Sequence, residues 1–230
     1  MSAQPRALIL LTRPAPQSER FAAALGLDCL ISPLIAPRFL FPAIPPHEAL
    51  ILTSETGALA ARGLAPCRAF CVGDRTAATA RALGFDATSA SGDAEALIAL
   101  ILSAPVAPLL HLRGREARGE IAARLTAAGV PTAEALAYAQ EEQDLTAEAQ
   151  AALRGQTPVI APLFSPRSAQ ILAAEAKRIG ATAPLRVVAM SQAVAQAARS
   201  LDPSALIAAR PDGDSMLEAT LTLWNRLALA

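Results

Sequence analysis

The chain has 230 residues, of which 53% are hydrophobic and 17% charged, so it carries enough apolar material for packed cores and is not a disordered protein. Its length suits two domains of roughly 100 residues each. The formal net charge is zero, which excludes a protein whose main partner is nucleic acid, because such a protein needs a basic surface.

The first predicted elements are a strand at 7–11, an amphipathic helix at 17–25 and a short strand at 29–31. The stretch that follows, 32–46, contains five prolines. Proline cannot continue a helix and favours extended backbone. We therefore predict a linker in this stretch.

From residue 49 apolar strands alternate with helices. The predicted strands are 49–53, 69–72, 86–88, 109–112 and 133–137, and the predicted helices are 55–62, 75–83, 94–102 and 115–128. This alternation is typical of an open parallel sheet with helices on both faces.

A polar stretch, 138–144, predicts a second linker, and the alternation then resumes. The predicted helices are 146–154, 166–179, 192–200 and 215–228, and the predicted strands are 158–163, 185–189 and 205–208. Ser165 followed by Pro166 is a typical helix start, and Ser215 with Glu218 has the spacing of a capping box.

Membrane insertion is not expected. The apolar run 96–112 contains Pro105 and Pro108, which prevent a continuous helix, and no signal peptide precedes Arg13. We therefore predict a cytoplasmic protein. The three cysteines and two histidines have no metal-ligand spacing, so no metal site is predicted and the thiols are expected to be free.

Parts of the sequence are repeated. Residues 50–64 resemble 161–176, 71–85 resemble 189–201, and 92–102 resemble 213–223. The offset between equivalent residues rises from 111 through 118 to 121, as expected for a domain duplication with small insertions. Two similar lobes joined by two linkers imply a cleft between them.

Candidate ligand-binding residues lie in polar turns after predicted strands, since parallel sheets bind ligands at the carboxyl ends of their strands. These turns contain Thr53 and Ser54, Gly73 and Thr76, Arg113 and Gly114, and Ser165, Pro166 and Ser168. Each turn alone is also what a helix cap requires. Together they favour a polyanionic ligand, because arginine and helix N-terminal N–H groups bind anions.

Six segments in order resemble the motifs of the uroporphyrinogen-III synthase family. They are LLTRP (10–14), ILTSETGA (51–58), VGDRTAATARALGF (72–85), LRGREARGEIAARLTAAGV (112–130), ALAYAQ (135–140) and FSPRSAQ (164–170). The resemblance covers essentially the whole chain.

The resemblance implies an α/β protein with two similar, flavodoxin-like parallel-sheet lobes. Residues 1–35 and 143–230 would form the first lobe, and 42–137 would form the inserted second lobe. The segments 36–41 and 138–142 would form a two-stranded linker between them.

The resemblance also implies the reaction: hydroxymethylbilane loses its hydroxyl and closes to uroporphyrinogen III with inversion of ring D, by a monomer without cofactor that receives substrate from hydroxymethylbilane synthase. Tyr138 would assist departure of the hydroxyl; a packing role at the linker is the alternative. The implied substrate-binding residues are Arg13, Thr53, Ser54, Gly73, Thr76, Arg113, Gly114, Ser165, Pro166, Ser168 and Ser191. Ser191 stands where the family has a turn with two threonines, so a threonine role there is in doubt.

Three other interpretations remain open from the residues. A bilobed protein without catalytic activity would bind a small anion or a tetrapyrrole in the same cleft. A nucleotide-dependent α/β enzyme would require a phosphate-binding loop, and no such motif occurs in the sequence. A degenerate paralogue would bind the bilane without closing it.

Overall fold

The computed structural model describes residues 7–104, 106–116 and 120–228. The chain divides into two compact units. Unit 1 comprises residues 1–36 and 142–230, and unit 2 comprises residues 37–141. Within the described ranges, no helix has the length and apolar character needed to cross a membrane.

Strands and helices alternate along most of both units. In chain order the elements are β1 (Leu8–Leu11), α1 (Ala15–Leu25), β2 (Cys29–Ile31), β3 (Ile35–Phe39), β4 (Ala49–Leu52), α2 (Glu55–Ala60), β5 (Arg68–Cys71), α3 (Asp74–Ala82), β6 (Asp86–Ser89), α4 (Ala94–Ser103), β7 (Leu109–Gly114), α5 (Ile121–Ala127), β8 (Thr132–Glu142), α6 (Ala147–Arg154), β9 (Val159–Leu163), α7 (Pro166–Ile179), β10 (Leu185–Ala189), α8 (Gln192–Ala197), β11 (Leu206–Ile207) and α9 (Gly213–Ala228).

Unit 1 has a five-stranded sheet in the order β11-β10-β9-β1-β2, with every pair parallel. Counted within the unit this order is 2-1-3-4-5, the flavodoxin-like order. Its strands are apolar on both faces because helices cover both. Leu163 and Leu172 belong to the core on one face, and Ile9 and Phe21 belong to the core on the other.

Unit 2 has a six-stranded sheet in the order β3-β8-β7-β4-β5-β6. The five strands from β8 to β6 are parallel to their neighbours. When these five are numbered along the chain and read from the β6 edge, their order is 3-2-1-4-5, with the first strand, β4, in the centre. The family resemblance implied flavodoxin-like parallel-sheet lobes; the unit 2 sheet is parallel from β8 to β6, but its strand order differs from that of flavodoxin. Leu52 and Ile51 alternate between two cores, one on each face of the sheet.

Both segments predicted as linkers are strands of the unit 2 sheet. β3 is its edge strand and lies beside β8, which continues to Glu142. Leu40 N donates to Ala137 O at 2.8 Å, and Gln143 N donates to Leu34 O at 2.9 Å, so the two segments run in opposite directions. An edge strand accommodates proline, which lacks the N–H that an interior strand uses on both sides.

Several helices begin at other residues than the sequence predicts, and for two of them, α5 and α9, hydrogen bonds show why. The helix expected at 115–128 begins at Ile121, because β7 continues to Gly114 and Arg115 N donates to the carbonyl of Tyr138 at 2.9 Å. Arg118, which the sequence places one helical turn after Arg115 in the predicted helix 115–128, lies outside the described residues. α9 begins at Gly213, since Asp212 accepts a hydrogen bond from the backbone N–H of Ser215 at 2.8 Å in place of a Ser215 cap.

Candidate functional site

Each sheet has a point where the connections leave in opposite directions, and ligands of open α/β sheets bind beyond the carboxyl ends of the strands there. In unit 1 this switch point lies between β1 and β9, and in unit 2 it lies between β4 and β7. The polar turns predicted from the sequence after β4, β7 and β9 therefore lie at the two switch points, and Arg13, which the family resemblance implied, follows β1 at the switch point of unit 1.

The strand registers make the two switch points comparable residue by residue. Ile9 lies opposite Ile160 in unit 1, and Leu109 lies opposite Ala49 in unit 2. Ala49 and Ile160 are related by the same offset of 111 positions as the first pair of repeated segments. Ile9 of β1 therefore corresponds to Leu109 of β7.

The same correspondence pairs the two candidate arginines. Arg13 lies just after β1, four residues beyond Ile9, and Arg113 lies in β7, four residues beyond Leu109. Each switch point thus has one guanidinium group at the same place in its sheet. Guanidinium binds carboxylates with two parallel hydrogen bonds, so both arginines are candidates for carboxylate binding.

Tyr138 lies at the switch point of unit 2. Its hydroxyl is 2.8 Å from Ser54 Oγ, and the Ser54 Oγ accepts the N–H of Gly57 at 2.9 Å. Ser54 caps α2, so the hydroxyl that caps the helix also hydrogen-bonds the phenol. The ring of Tyr138 is buried in the core of unit 2, with 8% of the residue exposed.

Glycine makes room for the Tyr138 ring. A Cβ added to Gly114 would lie 2.6 Å from Tyr138 Cε2 and 3.0 Å from its hydroxyl oxygen, closer than any side chain tolerates. A Cβ added to Gly57 would lie 3.2 Å from the Leu112 carbonyl oxygen and 3.3 Å from Ser54 Oγ. The absence of a side chain at Gly114 therefore leaves the space that the phenol occupies beside the end of β7.

A second polar cluster joins Thr53, His111, Arg113 and Glu134. Arg113 Nε donates to Glu134 Oε2 at 2.7 Å. His111 is buried and its Nε2 is 3.5 Å from Thr53 Oγ1. Arg113 and Glu134 also line a cavity of about 760 Å³, so the guanidinium group is accessible from outside.

Burial dominates the protonation of His111. Its Nδ1 lies 3.5 Å from Glu134 Oε1 without forming a hydrogen bond, and no other partner occurs among the described residues. Loss of hydration lowers the pKa of His111, and Arg113 lowers it further, whereas Glu134 raises it. The net direction is down, so the neutral imidazole is favoured.

The start of α3 is less suited to an anion than the sequence suggested. Gly73 is its cap residue and offers no side chain, and the adjacent Asp74 accepts a hydrogen bond from Ser91 Oγ at 3.0 Å. Hydrogen bonds from Ser89 and Ser91 lower the pKa of Asp74, which keeps a negative charge at this turn. Thr76 is buried against the sheet.

In unit 1 the guanidinium of Arg13 stacks on an aromatic ring. Its Cζ lies 4.1 Å from the centroid of Phe164, and Phe21 contacts the same ring edge-on with centroids 5.3 Å apart. Such a stack holds the planar guanidinium group in one orientation.

Two serines cap the helices that follow β9 and β10 in unit 1. Ser165 Oγ accepts the N–H of Ser168 at 3.1 Å and lies 2.9 Å from the Ser168 hydroxyl, with Pro166 at the first helical position. Ser191 caps α8 by accepting the N–H of Val194 at 3.4 Å. The predicted residues of this edge thus have cap roles in the structure.

The structure brings Tyr138, Ser54 and Gly114 into contact, and it links Thr53 with Arg113 through His111 and Glu134. Sequence reasoning missed Gly57, Glu134, His111 and Phe164 as members of these edges. Gly57 and Phe164 lie beside predicted residues in the turns, and this proximity is the signal that was available. Among the described residues no group of three or more His, Cys, Asp or Glu side chains has the arrangement of a metal site.

The comparisons with known proteins agree with this architecture. The family profile described as uroporphyrinogen-III synthase HemD matches residues 18–218. Comparison with curated protein sequences gives no match.

The solved structures include similar folds. The uroporphyrinogen-III synthetase of Helicobacter pylori 26695 aligns with 94% of this chain and 99% of its own, with 18% identity and a TM-score of 0.63. A mutant uroporphyrinogen III synthase of Thermus thermophilus aligns with 97% of this chain and 99% of its own, with 12% identity and a TM-score of 0.42. The first likeness shows a shared fold, and because the family profile spans far more than half of the residues of this protein, the chain belongs to the uroporphyrinogen-III synthase family.

Proposed function

We propose that this chain catalyses the reaction for which its family is named, the closure of hydroxymethylbilane to uroporphyrinogen III with inversion of ring D and loss of water. It is accordingly a cyclising hydro-lyase of tetrapyrrole biosynthesis. The observation that carries this proposal is the family match across residues 18–218.

The reaction suits a site without a conventional catalytic dyad. A hydroxymethylpyrrole ionises with help from its own nitrogen and gives an azafulvene electrophile. The unassisted bilane then closes without inversion. The enzyme's task is to fold the bilane so that the substituted carbon of ring D attacks, through a spiro-pyrrolenine intermediate, which is catalysis by orientation.

The enzyme can orient the bilane by binding the carboxylates of its acetate and propionate groups. Arg13 and Arg113 occupy equivalent places at the two switch points, and each is held in place, one by Phe164 and the other by Glu134. A held guanidinium loses less freedom when it binds a carboxylate. We assign carboxylate binding first to these two arginines.

The remaining predicted residues are assigned as further donors. The hydroxyl and N–H donors proposed to contact the bilane are those of Thr53, Gly73, Thr76, Ser165, Ser168 and Ser191, with Pro166 shaping its turn. Thr53 has the best support, because its hydroxyl lies beside His111 in the same cluster as Arg113. Thr76 has the weakest, because it is buried.

Tyr138 is assigned to the departing hydroxyl. When the C–O bond breaks, its electron pair stays on oxygen, and the phenol proton completes a water molecule. Ring closure later releases one proton, which restores the phenol, so the bilane loses one water overall. A donor aimed at developing negative charge is the usual means of stabilising such a transition state.

We further propose that the enzyme acts without a metal or organic cofactor and is a monomer in the cytoplasm. It would receive its substrate from hydroxymethylbilane synthase. The balanced charge of the chain supports a small-molecule substrate over nucleic acid.

A coupled assay tests the function directly. Hydroxymethylbilane synthase generates the bilane in the presence of the purified chain, and the products are oxidised and separated as uroporphyrin isomers. We expect the inverted isomer III to replace the spontaneous isomer I. A chain that slows formation of isomer I without yielding isomer III binds the bilane but does not close it, and this outcome would overturn the proposal.

A further inference from the structure

We infer that Ser54 and Gly114 do not contact the bilane but position Tyr138, with Ser54 donating its hydroxyl proton to the phenol oxygen so that the phenol proton points to the substrate. The inference rests on the proposed function and deepens it. It replaces the substrate-binding roles that the family resemblance implied for these two residues.

The Ser54 hydroxyl has two hydrogen-bond partners. Its Oγ accepts the N–H of Gly57 at 2.9 Å, and it lies 2.8 Å from the Tyr138 hydroxyl. A hydroxyl has one proton to donate and two lone pairs. Two arrangements are therefore possible: either Ser54 donates to Tyr138, or Tyr138 donates to Ser54.

The cap interaction favours the first arrangement. A hydroxyl that already accepts one hydrogen bond is polarised, which makes its own proton a better donor. The backbone N–H of Gly57 is fixed in the first turn of α2 and always occupies the Ser54 oxygen. With Ser54 as the donor, the Tyr138 proton remains for another acceptor.

The packing of the phenol ring sets the position of its hydroxyl. A Cβ at Gly114 would lie within 3.0 Å of Cε2, Cζ and the hydroxyl oxygen of Tyr138, so only glycine allows this ring position. Gly114 is the last residue of β7, and Ser54 follows β4 by two residues. The hydroxyl thus lies where the two switch-point strands end, which is the place where a ligand is expected.

Kinetics with Ser54→Ala, Ser54→Thr, Tyr138→Phe and the double variant Ser54→Ala/Tyr138→Phe test the positioning role. Ser54→Ala is expected to lower kcat by about tenfold with little change in KM, and to cause no additional loss when Tyr138→Phe is already present. Ser54→Thr keeps the hydroxyl and should restore most of the rate. A raised KM in Ser54→Ala, or independent losses in the double variant, would show that Ser54 binds substrate and would overturn the inference.

Thr146→Ala is the matched control for the lost cap. Thr146 caps α6 of unit 1 by accepting the N–H of Ala149 at 3.3 Å, and it has no role in the proposed site. We expect it to lower thermal stability about as much as Ser54→Ala and to leave kcat unchanged. Equal loss of kcat in both variants would mean that helix capping alone explains the Ser54 effect.

A spectroscopic readout needs no substrate. Tyr138 is the only tyrosine of the chain, so the tyrosine Fermi doublet of the Raman spectrum reports this residue alone. We expect the intensity ratio of a phenol that accepts a hydrogen bond, and a changed ratio in Ser54→Ala and in Gly114→Ala. If the doublet intensity ratio is that of a phenol that donates a strong hydrogen bond, and if it does not change in Ser54→Ala, the inference is overturned even when the enzyme makes isomer III. Conversely, the expected spectra in a chain that makes no isomer III would show the positioning to be correct and the proposed function wrong.

Discussion

The two switch points carry the same helix cap with different second partners. In unit 1, Ser165 accepts the N–H of Ser168 and also contacts the Ser168 hydroxyl at 2.9 Å. In unit 2 the equivalent cap is Ser54, and the equivalent third helical residue is Gly57, which has no side chain to offer. The second partner of Ser54 is instead the phenol of Tyr138.

The neighbouring strands differ in the same way. The pair His111 and Glu134 of unit 2 corresponds by register to Leu11 and Ile31 of unit 1. Unit 1 thus retains an apolar sheet up to its edge, whereas unit 2 has titratable groups there. The comparison teaches that the same helix cap has different partners in the two units: in unit 2 a glycine stands where unit 1 has Ser168, and the Ser54 hydroxyl contacts the Tyr138 phenol instead.

The largest effect should come from the arginines that the two units share. We expect Arg13→Ala and Arg113→Ala each to lower kcat/KM about thirtyfold, since a charged hydrogen bond contributes about 2 kcal/mol. Steady-state assays with freshly generated bilane measure this. Arg186→Ala, on an exposed residue in the first half of β10, is the control and should have no effect. A loss in only one of the two variants would break the equivalence.

Tyr138→Phe removes the group that distinguishes unit 2. We expect about a tenfold lower kcat, ~1.4 kcal/mol, which is less than a typical lost donor because the leaving group departs with help from the pyrrole. The melting temperature should barely change, since the ring still fills its place in the core. Wild-type rate and isomer ratio would show that Tyr138 is a packing residue.

Gly57→Ser gives unit 2 the cap of unit 1. The new hydroxyl competes with Tyr138 for Ser54, and its Cβ requires a shift of a few tenths of an ångström near the Leu112 carbonyl. We expect a loss of kcat of about fivefold, ~1 kcal/mol. The Raman doublet of Tyr138 should change together with the rate. An unchanged rate together with a changed doublet would show that the hydrogen bond between Ser54 and Tyr138 does not contribute to catalysis.

His111→Leu places the unit 1 residue in the unit 2 sheet and should alter the dependence of stability on pH. Burial lowers the pKa of His111 below its ordinary value of 6.5, so between that value and the lower one the unfolded chain binds more protons. Wild-type stability therefore falls as pH falls below about 6.5, by at most about 1.4 kcal/mol per pH unit. Denaturant unfolding of both proteins across this range should show a flatter profile for the variant; parallel profiles would contradict the buried, neutral histidine.

The smallest effect is expected from metal removal. Both edges act through side-chain and backbone donors alone in this proposal, so dialysis against a strong chelator should leave the rate unchanged. The control is the same dialysis without chelator. Lost activity that a divalent ion restores would require a metal at one of the edges.

Much of the fold follows from sequence, because apolar strands and amphipathic helices have distinct periods. The helix 166–179 and the strand 185–189 begin and end where they were predicted, and Ser165 caps its helix as its sequence indicates. The residue pattern alone missed the edge strand β3, because Pro37 and the prolines around it favour a linker, whereas the family resemblance implied a two-stranded linker there. Strand pairing with β8 outweighs the local preference.

The site was harder to predict because its contacts are distant in sequence. Ser54 and Tyr138 are 84 residues apart, and the contact depends on a register shift between Arg113 and Gly114 that carries Tyr138 opposite Gly114. No sequence pattern marks such an irregularity. The turns themselves were predictable, since caps and strand ends have recognisable residues.

The discontinuity of unit 1 imposes an order on its assembly at the ribosome. Residues 37–141 of unit 2 form an uninterrupted stretch, so unit 2 can complete its sheet as soon as it emerges. β1 emerges earlier but must wait for β9, its partner at Leu8 and Val159, until most of the chain has been translated. During that interval β1 has β2 beside it but lacks its other neighbour, so an apolar strand edge stays unpaired while the chain is being translated.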